Sequence, residues 1–356
     1  MGHATFDASL VPVLAGMPDV DARFAGLREQ TRVERALWRA VPRLAELDLD
    51  MQPTRWHAVH SYVARRVLSE ELASFDADVV HVRSHSIALA MPDGLNGVPV
   101  VPVVDATVWD WRLLGSSRPP RRHTRAMMKP SELAERRLLR RAPLVLAMNR
   151  WAQASIERTV PEARVVEHHP GVDLERFRPA GRHGSQALRV LFVGGRFARK
   201  GGPELIEALG DRLGRDVELD AVTAEPVPER EGIRTHSLTN DDPRLVELYQ
   251  QADVFCLPTT SDAVPWAVIE AMACGAPVVS TDVAAIPELL ADGAAGVLVE
   301  PGDGEGLRRE LWALLDDETR RRELSGRARA HVEERYDARK RVPELIELLR
   351  GVAGRR

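Results

Sequence analysis

Cysteine is nearly absent: Cys256 and Cys274 are the only two in 356 residues. No disulfide framework can be built from them, and a reducing cytoplasm suits the chain. Both are expected as buried, inert thiols. Also missing is any apolar run of about 18 residues, which argues against a membrane-spanning helix. Met1–Leu10 carries no basic patch followed by an apolar core, so it does not read as a signal peptide. Internal repeats and low-complexity tracts are lacking too. Lysine occurs only at Lys129, Lys200 and Lys340, and every other strong base is arginine. Each lysine therefore stands out against an arginine default.

What is present is an ordinary globular composition, long enough for two domains that each bury a core. Net charge is −4, but residues 1–180 hold 25 Lys+Arg against 22 Asp+Glu (+3), and the remainder 24 against 31 (−7). Much of the basic excess lies in Arg112–Arg141, with ten bases and two acids. That stretch suits an anionic acceptor, a membrane surface, or simply a solvated arginine-rich helix and loop.

Short apolar runs alternate with helical periodicity throughout, which predicts an α/β fold with parallel sheets. In the first half the expected strands are Val20–Leu27, Val79–Val82, Val98–Val104, Leu144–Ala147 and Arg164–Glu167. Helices are expected at Arg32–Leu47, Arg55–Phe75 and Ser131–Arg141. The second half repeats the pattern from Leu188–Val193 onward, and polar Phe177–Gln186 reads as the linker. Ala4–Leu14 is helical in pattern, with Gly2-His3 as a tight turn before it. A doubly wound domain places a central strand ahead of such a turn. None precedes it here, so the natural product is expected to begin upstream of Met1.

Two constellations carry chemistry. The first runs from Val193 through Gly194, Gly195, Arg196, Arg199, Lys200 and Gly201 to Pro203: strand, glycine bend, bases, helix start. Glycines admit a ligand close to the backbone, and free amides at a helix start favour an anion. Lysine binds phosphate as a compact point charge, so Lys200 suggests a tight diphosphate pocket. The second is Asp262-Ala263-Val264-Pro265 followed by a helix carrying Glu270. Both carboxylates fall near the carboxyl ends of strands, where such folds bind ligands. Glu270 sits among Ile269, Ala271 and Met272, so it needs a partner, either a ligand hydroxyl or a structural one.

These residues resemble the retaining glycosyltransferases of family 4, including their group 1 C-terminal domain. Asp262 through Glu270 looks like the carboxylate–seven–carboxylate motif, and Ser280 through Leu290 and Gly293 through Asp303 resemble the signatures that follow it. Pro170–Phe177 is similar to the loop between the domains. The likeness is thin over residues 1–140. It implies a GT-B fold, two Rossmann-like domains facing across a cleft: an acceptor-side domain at 1–180 without its first strand, a donor domain at 181–340, and a helix at 341–356 crossing back to the first. It also implies that Glu270 binds the ribose hydroxyls and Asp262 the donor sugar. Arg196 and Lys200 would neutralise the departing diphosphate. Gly194, Gly195, Ala263, Val264, Pro265 and the amides around Asp282, Val283 and Ala284 would line the donor, with Gly2 opposite. The chain departs from the pattern in four places. Asp262 replaces the usual glutamate, Ala284-Ala285 replaces a glycine pair, the Arg196–Lys200 loop is short, and Asp105 stands where relatives carry a cleft histidine. That makes Asp105 a candidate donor-sugar contact.

The expected function is transfer of a sugar from a nucleotide-diphosphate sugar to an acceptor by a hexosyltransferase-like enzyme. Retention is implied by the resemblance. No metal or cofactor is expected beyond the co-substrate. The pairs Asp19/Asp21, Asp48/Asp50 and Asp76/Asp78 read as surface charge. His168 and His169 are neighbours on a strand end and point to opposite faces, which disfavours shared metal ligation. The acceptor is open: glycan, lipid or small molecule, with no nucleic acid. Placement is expected in the cytoplasm, peripheral at the inner membrane face if Arg112–Arg141 contacts lipid. The rivals are a sugar-nucleotide epimerase or hydrolase, and a non-catalytic nucleotide-sugar-binding or scaffold protein of the same fold.

Overall fold

Most strands among the described residues are short and largely buried, which is what near-continuous runs of Val, Leu and Ile dictate, whereas Val165–Glu167 and Ile233–His236 are only partly covered. A computed structural model describes residues 2–47, 49–114, 121, 123–181 and 187–354. The chain divides into two compact units. One comprises Pro18–His169 with Pro343–Arg356, and is called the first unit; the second comprises Met1–Met17 with Pro170–Val342. Residues 1–17, which the sequence assigns with the first domain, therefore cluster with the second. The linker expected at Phe177–Gln186 lies partly outside the described residues, at 182–186.

The chain opens with α1 (Gly2–Ala15), so the tight turn expected at Gly2-His3 is instead the first turn of a helix. The first unit then holds α2 (Arg32–Trp38), α3 (Pro42–Glu46), α4 (Gln52–Leu72), β1 (Val80–Val82), β2 (Val100–Val104), α5 (Val108–Leu114), α6 (Thr124–Arg141), β3 (Val145–Ala147), α7 (Arg150–Thr159) and β4 (Val165–Glu167). Its sheet is parallel, in the order β1-β2-β3-β4. Among the described residues no strand precedes Val80.

Val20–Leu27 is irregular and exposed rather than a strand. With Asp19, Asp21 and Arg23 around it and no partner strand beside it, its apolar residues find no core. The helix expected over Arg32–Leu47 is broken in two. Pro42 supplies no N–H and clashes with a preceding turn, so α2 ends at Trp38 and α3 restarts on the proline. Pro102 lies inside β2, where the ladder to β3 begins only after it, at Val103. Met91, Leu95, Leu138, Leu139, Leu146 and Ile156 are fully buried in the core of this unit. Each contributes roughly 1.5–3 kcal/mol by leaving water.

The second unit continues with β5 (Leu188–Val193), α8 (Gly202–Leu209), β6 (Val217–Val222), β7 (Ile233–His236), α9 (Pro243–Gln251), β8 (Val254–Leu257), α10 (Trp266–Ala273), β9 (Val278–Thr281), α11 (Ile286–Leu289), β10 (Val297–Val299), α12 (Gly304–Asp316) and α13 (Glu318–Arg335). The last helix, α14 (Ala338–Ala353), starts in this unit and passes into the first at Pro343. The six parallel strands run β10-β9-β8-β5-β6-β7. Chain order thus goes one way from β5 to β6 and the other way to β8, which makes the gap between β5 and β8 the point where the winding reverses. Ligands of such sheets bind there, beyond the strand ends.

Aspartate caps keep the helices in register: Asp242, Asp303 and Asp317 each accept a first-turn amide. Cys256 and Cys274 are both buried, and burial pushes both thiols up. No helix among the described residues is long and apolar enough to cross a membrane.

Candidate functional site

At the reversal point the loop after β5 and the loop after β8 meet. Gly201 has φ +85, and an added Cβ would lie 2.2 Å from the Pro258 carbonyl oxygen. Only glycine lets the first loop press this closely on the second. Gly194 serves likewise: a Cβ there would meet Lys200 Cγ at 3.2 Å. The Lys200 stem therefore lies over a bare backbone, and its ammonium reaches Asp262 Oδ2 in an ion pair. Both side chains are mostly buried, at 16% and 11% exposure. Arg199 Nη1 donates to Ser261 Oγ at 3.3 Å, the residue before Asp262. Arg196 and Gly195 are exposed beside them, and nothing lies within 4 Å of where a Gly195 Cβ would stand.

One expectation about this bend needs correction. The start of α8 offers fewer free amides than the sequence suggests. Gly202 N–H donates to Phe197 O at 2.9 Å, and Pro203 has no N–H. The anion-binding capacity of the bend therefore rests on its side-chain cations more than on the helix end.

The Asp262 loop is fastened from below by a buried hydroxyl layer. Ser280 Oγ donates to Leu257 O at 2.7 Å, Thr281 Oγ1 donates to Thr259 O, and Ser261 N–H donates to Thr259 Oγ1 at 3.2 Å. Ala263 and Pro265 are buried and Val264 is half-buried. Ala285 N–H donates to Ala263 O at 3.3 Å, which joins the loop after β9 to the same place. In that third loop Asp282 is exposed, but its N–H is given to Val299 O, and the Val283 N–H to Thr281 O. Two of the amides expected to face a ligand are thus already committed to the fold. Among the described residues the Ala284 N–H meets no backbone carbonyl. Ala284 itself has φ +50, a conformation in which glycine is at ease and alanine is strained.

Glu270 lies in the middle of α10, eight residues after Asp262 in the chain, and is buried. Its Oε2 accepts a hydrogen bond of 2.7 Å from the hydroxyl of Tyr249, which is fully buried on α9. Burial and the adjacent Glu270 carboxylate push the Tyr249 hydroxyl far above its ordinary value, so it stays a donor. Tyr249 and Ser261 are not among the expected site residues, whereas Arg199 belongs to the expected cradle. Tyr249 follows Leu245 by four positions and reads as an apolar helix face. Its hydroxyl gives no periodic signal.

The N-terminal helix belongs to this unit as well. The Phe6 and Trp266 rings meet edge-on at 6.0 Å, and Asp173 N–H donates to Ser9 Oγ at 3.1 Å. Gly2 lies in the first turn of that helix.

Asp105 belongs to the first unit, at the end of β2. Its Oδ1 accepts the Ala106 N–H at 2.9 Å and the Trp111 indole N–H at 3.2 Å. The loop around it is tied down by buried hydrogen bonds. Buried Asp110 accepts from Thr107 at 2.6 Å and Ser155 at 2.5 Å, and Glu135 Oε1 accepts the Val108 N–H at 2.7 Å. His85, fully buried, places Nε2 2.8 Å from the same Glu135 oxygen. Burial pulls His85 down, but Glu135 and Asp105 outweigh it and its pKa is raised. His57 is pushed down to about 4, chiefly by burial and then by His85 and His60.

Of the aspartate pairs expected as surface charge, Asp50 is an exception. It is buried and accepts the Val41 N–H at 2.6 Å and Arg55 at 2.7 Å. It anchors the turn into α3. Asp48 lies outside the described residues. His169 Nε2 lies 2.7 Å from Glu167 Oε1, across one residue of the strand end. In the basic stretch Arg112–Arg141, residues 115–120 and 122 lie outside the described residues. On α6, Arg137 and Arg141 pair with Asp93, Arg140 with Glu162, and Arg125 and Lys129 with Glu132.

Comparison with known proteins bears on both units. Residues 187–317 match the family described as Glycosyl transferases group 1, and residues 22–176 match Glycosyltransferase Family 4. A D-inositol 3-phosphate glycosyltransferase of Streptomyces bingchenggensis is 31% identical over 258 residues, covering 59% of this chain and 56% of that protein. The chain spans about half the length of the curated relatives it matches. Among solved structures, the sucrose-phosphate synthase of Thermosynechococcus elongatus superposes with a TM-score of 0.72 at 18% identity, over 84% of this chain and 79% of that one. An Anabaena protein solved in complex with UDP and glucose superposes with a TM-score of 0.57 at 18% identity, over 71% of each chain. The two parallel α/β units are those of the GT-B fold.

Proposed function

The chain belongs to the family 4, group 1 glycosyltransferases, and from that premise we propose that it transfers a sugar from a nucleotide-diphosphate sugar to an acceptor hydroxyl, with retention and without a metal. The observation that carries this reading is the pairing of Lys200 with Asp262 between the ends of β5 and β8. An ammonium has three donors, so Lys200 can keep one on Asp262 and turn the others to a phosphate oxygen.

As the bond from the anomeric carbon to the diphosphate oxygen lengthens, negative charge builds on the leaving group. Lys200 and Arg196, with Arg199 beside them, are cations already in place to stabilise it, so no metal is needed for that task. Asp262 accepts from donor-sugar hydroxyls. Glu270, fixed by Tyr249, accepts from the ribose. Gly194, Gly195, Ala263, Val264, Pro265, Asp282, Val283 and Ala284 line the donor, with the Ala284 N–H as the amide of its turn left for a ligand. Asp105 and Gly2 stay in the proposal as donor contacts. Retention is taken from family membership.

The acceptor side is broader. A relative named for D-inositol 3-phosphate makes a phosphorylated polyol the first class to try. Two buried thiols suit a cytoplasmic setting, and Arg112–Arg141 suits a peripheral contact with an anionic surface.

Product analysis tests the reading. Incubation with nucleotide sugars and candidate acceptors is expected to release nucleoside diphosphate and place the sugar on the acceptor. Free sugar as the only product would make the protein a hydrolase, an isomerised nucleotide sugar would make it an epimerase, and donor binding with no turnover would make it a scaffold.

A further inference from the structure

Eight of the twelve exposed large hydrophobic side chains among the described residues fall between Phe24 and Leu49, in the first unit. Scattered exposed leucines need no explanation, but a run of them does. In α2, Val33 is 69% exposed and Leu37 is 56% exposed. At about 100° per residue they lie roughly 40° apart on one face. Glu34 and Trp38 form the inward face, with Trp38 against His60 at 5.6 Å and its indole N–H on Gln30 at 2.7 Å. The apolar strip continues through Val41 at the start of α3 to Leu44 and Leu47, all exposed.

Arginine accompanies the strip. Arg23 is spent on Glu71 and Ser74, and Arg28 on Glu34. Arg32, Arg35, Arg39 and Arg43 are exposed, and no carboxylate among the described residues pairs with them. On α2 and at its C-cap, Arg32, Arg35 and Arg39 cluster within about 60°, roughly 100–160° round the helix from Val33 and Leu37. At its far end the strip joins α6: the Leu47 carbonyl meets His123 Nε2 at 2.5 Å, and the exposed α6 residues Arg125, Lys129 and Arg136 follow.

We propose that this strip docks on an anionic lipid surface, with Val33, Leu37, Leu44 and Leu47 entering the headgroup boundary and the four arginines on lipid phosphates. Charge complementarity selects that occupant. The core of a protein–protein interface is depleted of charge and rich in aromatics. Here guanidinium groups recur every three or four residues, and the one aromatic of α2 faces inward. An apolar face with arginines on the other exposed face matches an interfacial helix, and a long arginine stem can reach lipid phosphate while its head stays in water. The contact is separate from the donor site and does not depend on the proposed transfer reaction.

Co-sedimentation of the full chain with vesicles tests this. The protein is expected to pellet with equimolar phosphatidylcholine and phosphatidylglycerol and to stay in solution with phosphatidylcholine alone. Val33→Ser combined with Leu37→Ser is expected to lower the bound fraction about tenfold or more. Arg35→Gln combined with Arg39→Gln is expected to do the same, as is raised salt. All four sites are exposed, so unchanged melting temperatures would confirm that the variants fold. Arg136→Gln with Arg137→Gln on α6 is the comparison variant and is expected to keep most of the binding. The proposal is overturned if the native chain does not pellet with the anionic vesicles, or if the Val33/Leu37 variant binds as well as the native chain. It is also overturned if only the α6 variant loses binding. Velocity sedimentation showing Val33- and Leu37-dependent self-association would assign the strip to a second copy of the chain and overturn it too.

Discussion

Lys200 is one of three lysines in the chain, and it alone is laid over glycine and turned onto a carboxylate at a strand end. Replacing it with alanine should lower donor turnover by about 100- to 1000-fold, the usual cost of losing one preorganised group that stabilises charge in the transition state. Circular dichroism should still report a folded chain; turnover within a few fold of native would remove Lys200 from the mechanism.

Tyr249→Phe tests how Glu270 is held. Loss of a buried donor to a carboxylate should cost about 1–3 kcal/mol in unfolding free energy. It should also raise the donor KM more than it lowers kcat, since the carboxylate loses its fixed orientation. A lower melting temperature with unchanged KM would make the tyrosine purely structural.

Ala284 carries the opposite sign. At φ +50 alanine is strained by roughly 1–2 kcal/mol relative to glycine, so Ala284→Gly should hold or raise the melting temperature even though glycine loses more chain entropy on folding. A marked fall would contradict the strain.

His57 gives a pH effect. Its folded pKa of about 4 lies below the unfolded value, so below pH of about 6.5 the unfolded chain binds a proton that the native chain refuses. Stability from this group is present above that pH and is lost as pH falls toward 4. His85 works the other way: its raised pKa gives stability below the unfolded value that is lost as pH rises. His57→Gln should therefore flatten the fall in urea midpoint between pH 7 and pH 5; an unchanged slope would refute the assignment.

Among the elements, α8 and its glycine start show why the donor bend was readable and its neighbours less so. The glycines at 194, 201 and 202 are visible in the sequence because close backbone approach leaves few alternatives. Gly201→Ala would drive a methyl onto the Pro258 carbonyl, and the melting temperature should fall by several degrees, with donor affinity falling alongside. A neutral result would mean that the two loops move apart freely.

The buried strands were legible for a similar reason: Leu188–Val193, Val217–Val222 and Val254–Leu257 are continuous apolar runs with no other way to be buried. Val20–Leu27 has apolar residues too, but it lacks a neighbouring strand, and pairing is a tertiary fact that local pattern does not carry. In the Arg32–Leu47 stretch the breaking signal is Pro42, at the first position of α3. Tyr249 and the hydroxyls of Ser280 and Thr281 were not legible, because their partners lie 21 to 23 residues away in other elements.

For the molecule as a whole, each unit is a parallel sheet with its own core, and the site residues on which the donor proposal rests lie in the second. A charge-stabilised leaving group without a metal implies that EDTA leaves turnover intact, and strict dependence on a divalent cation would refute that part.

The most direct measurement is a thermal shift across a panel of nucleotide sugars, read on the native chain and on Lys200→Ala, Asp262→Asn and Glu270→Gln. A ligand that binds only the folded state raises the melting temperature. The account predicts that at least one nucleotide-diphosphate sugar stabilises the native chain and that the shift shrinks or vanishes in all three variants. Equal stabilisation of native and variant chains, or none by any nucleotide sugar, would contradict it.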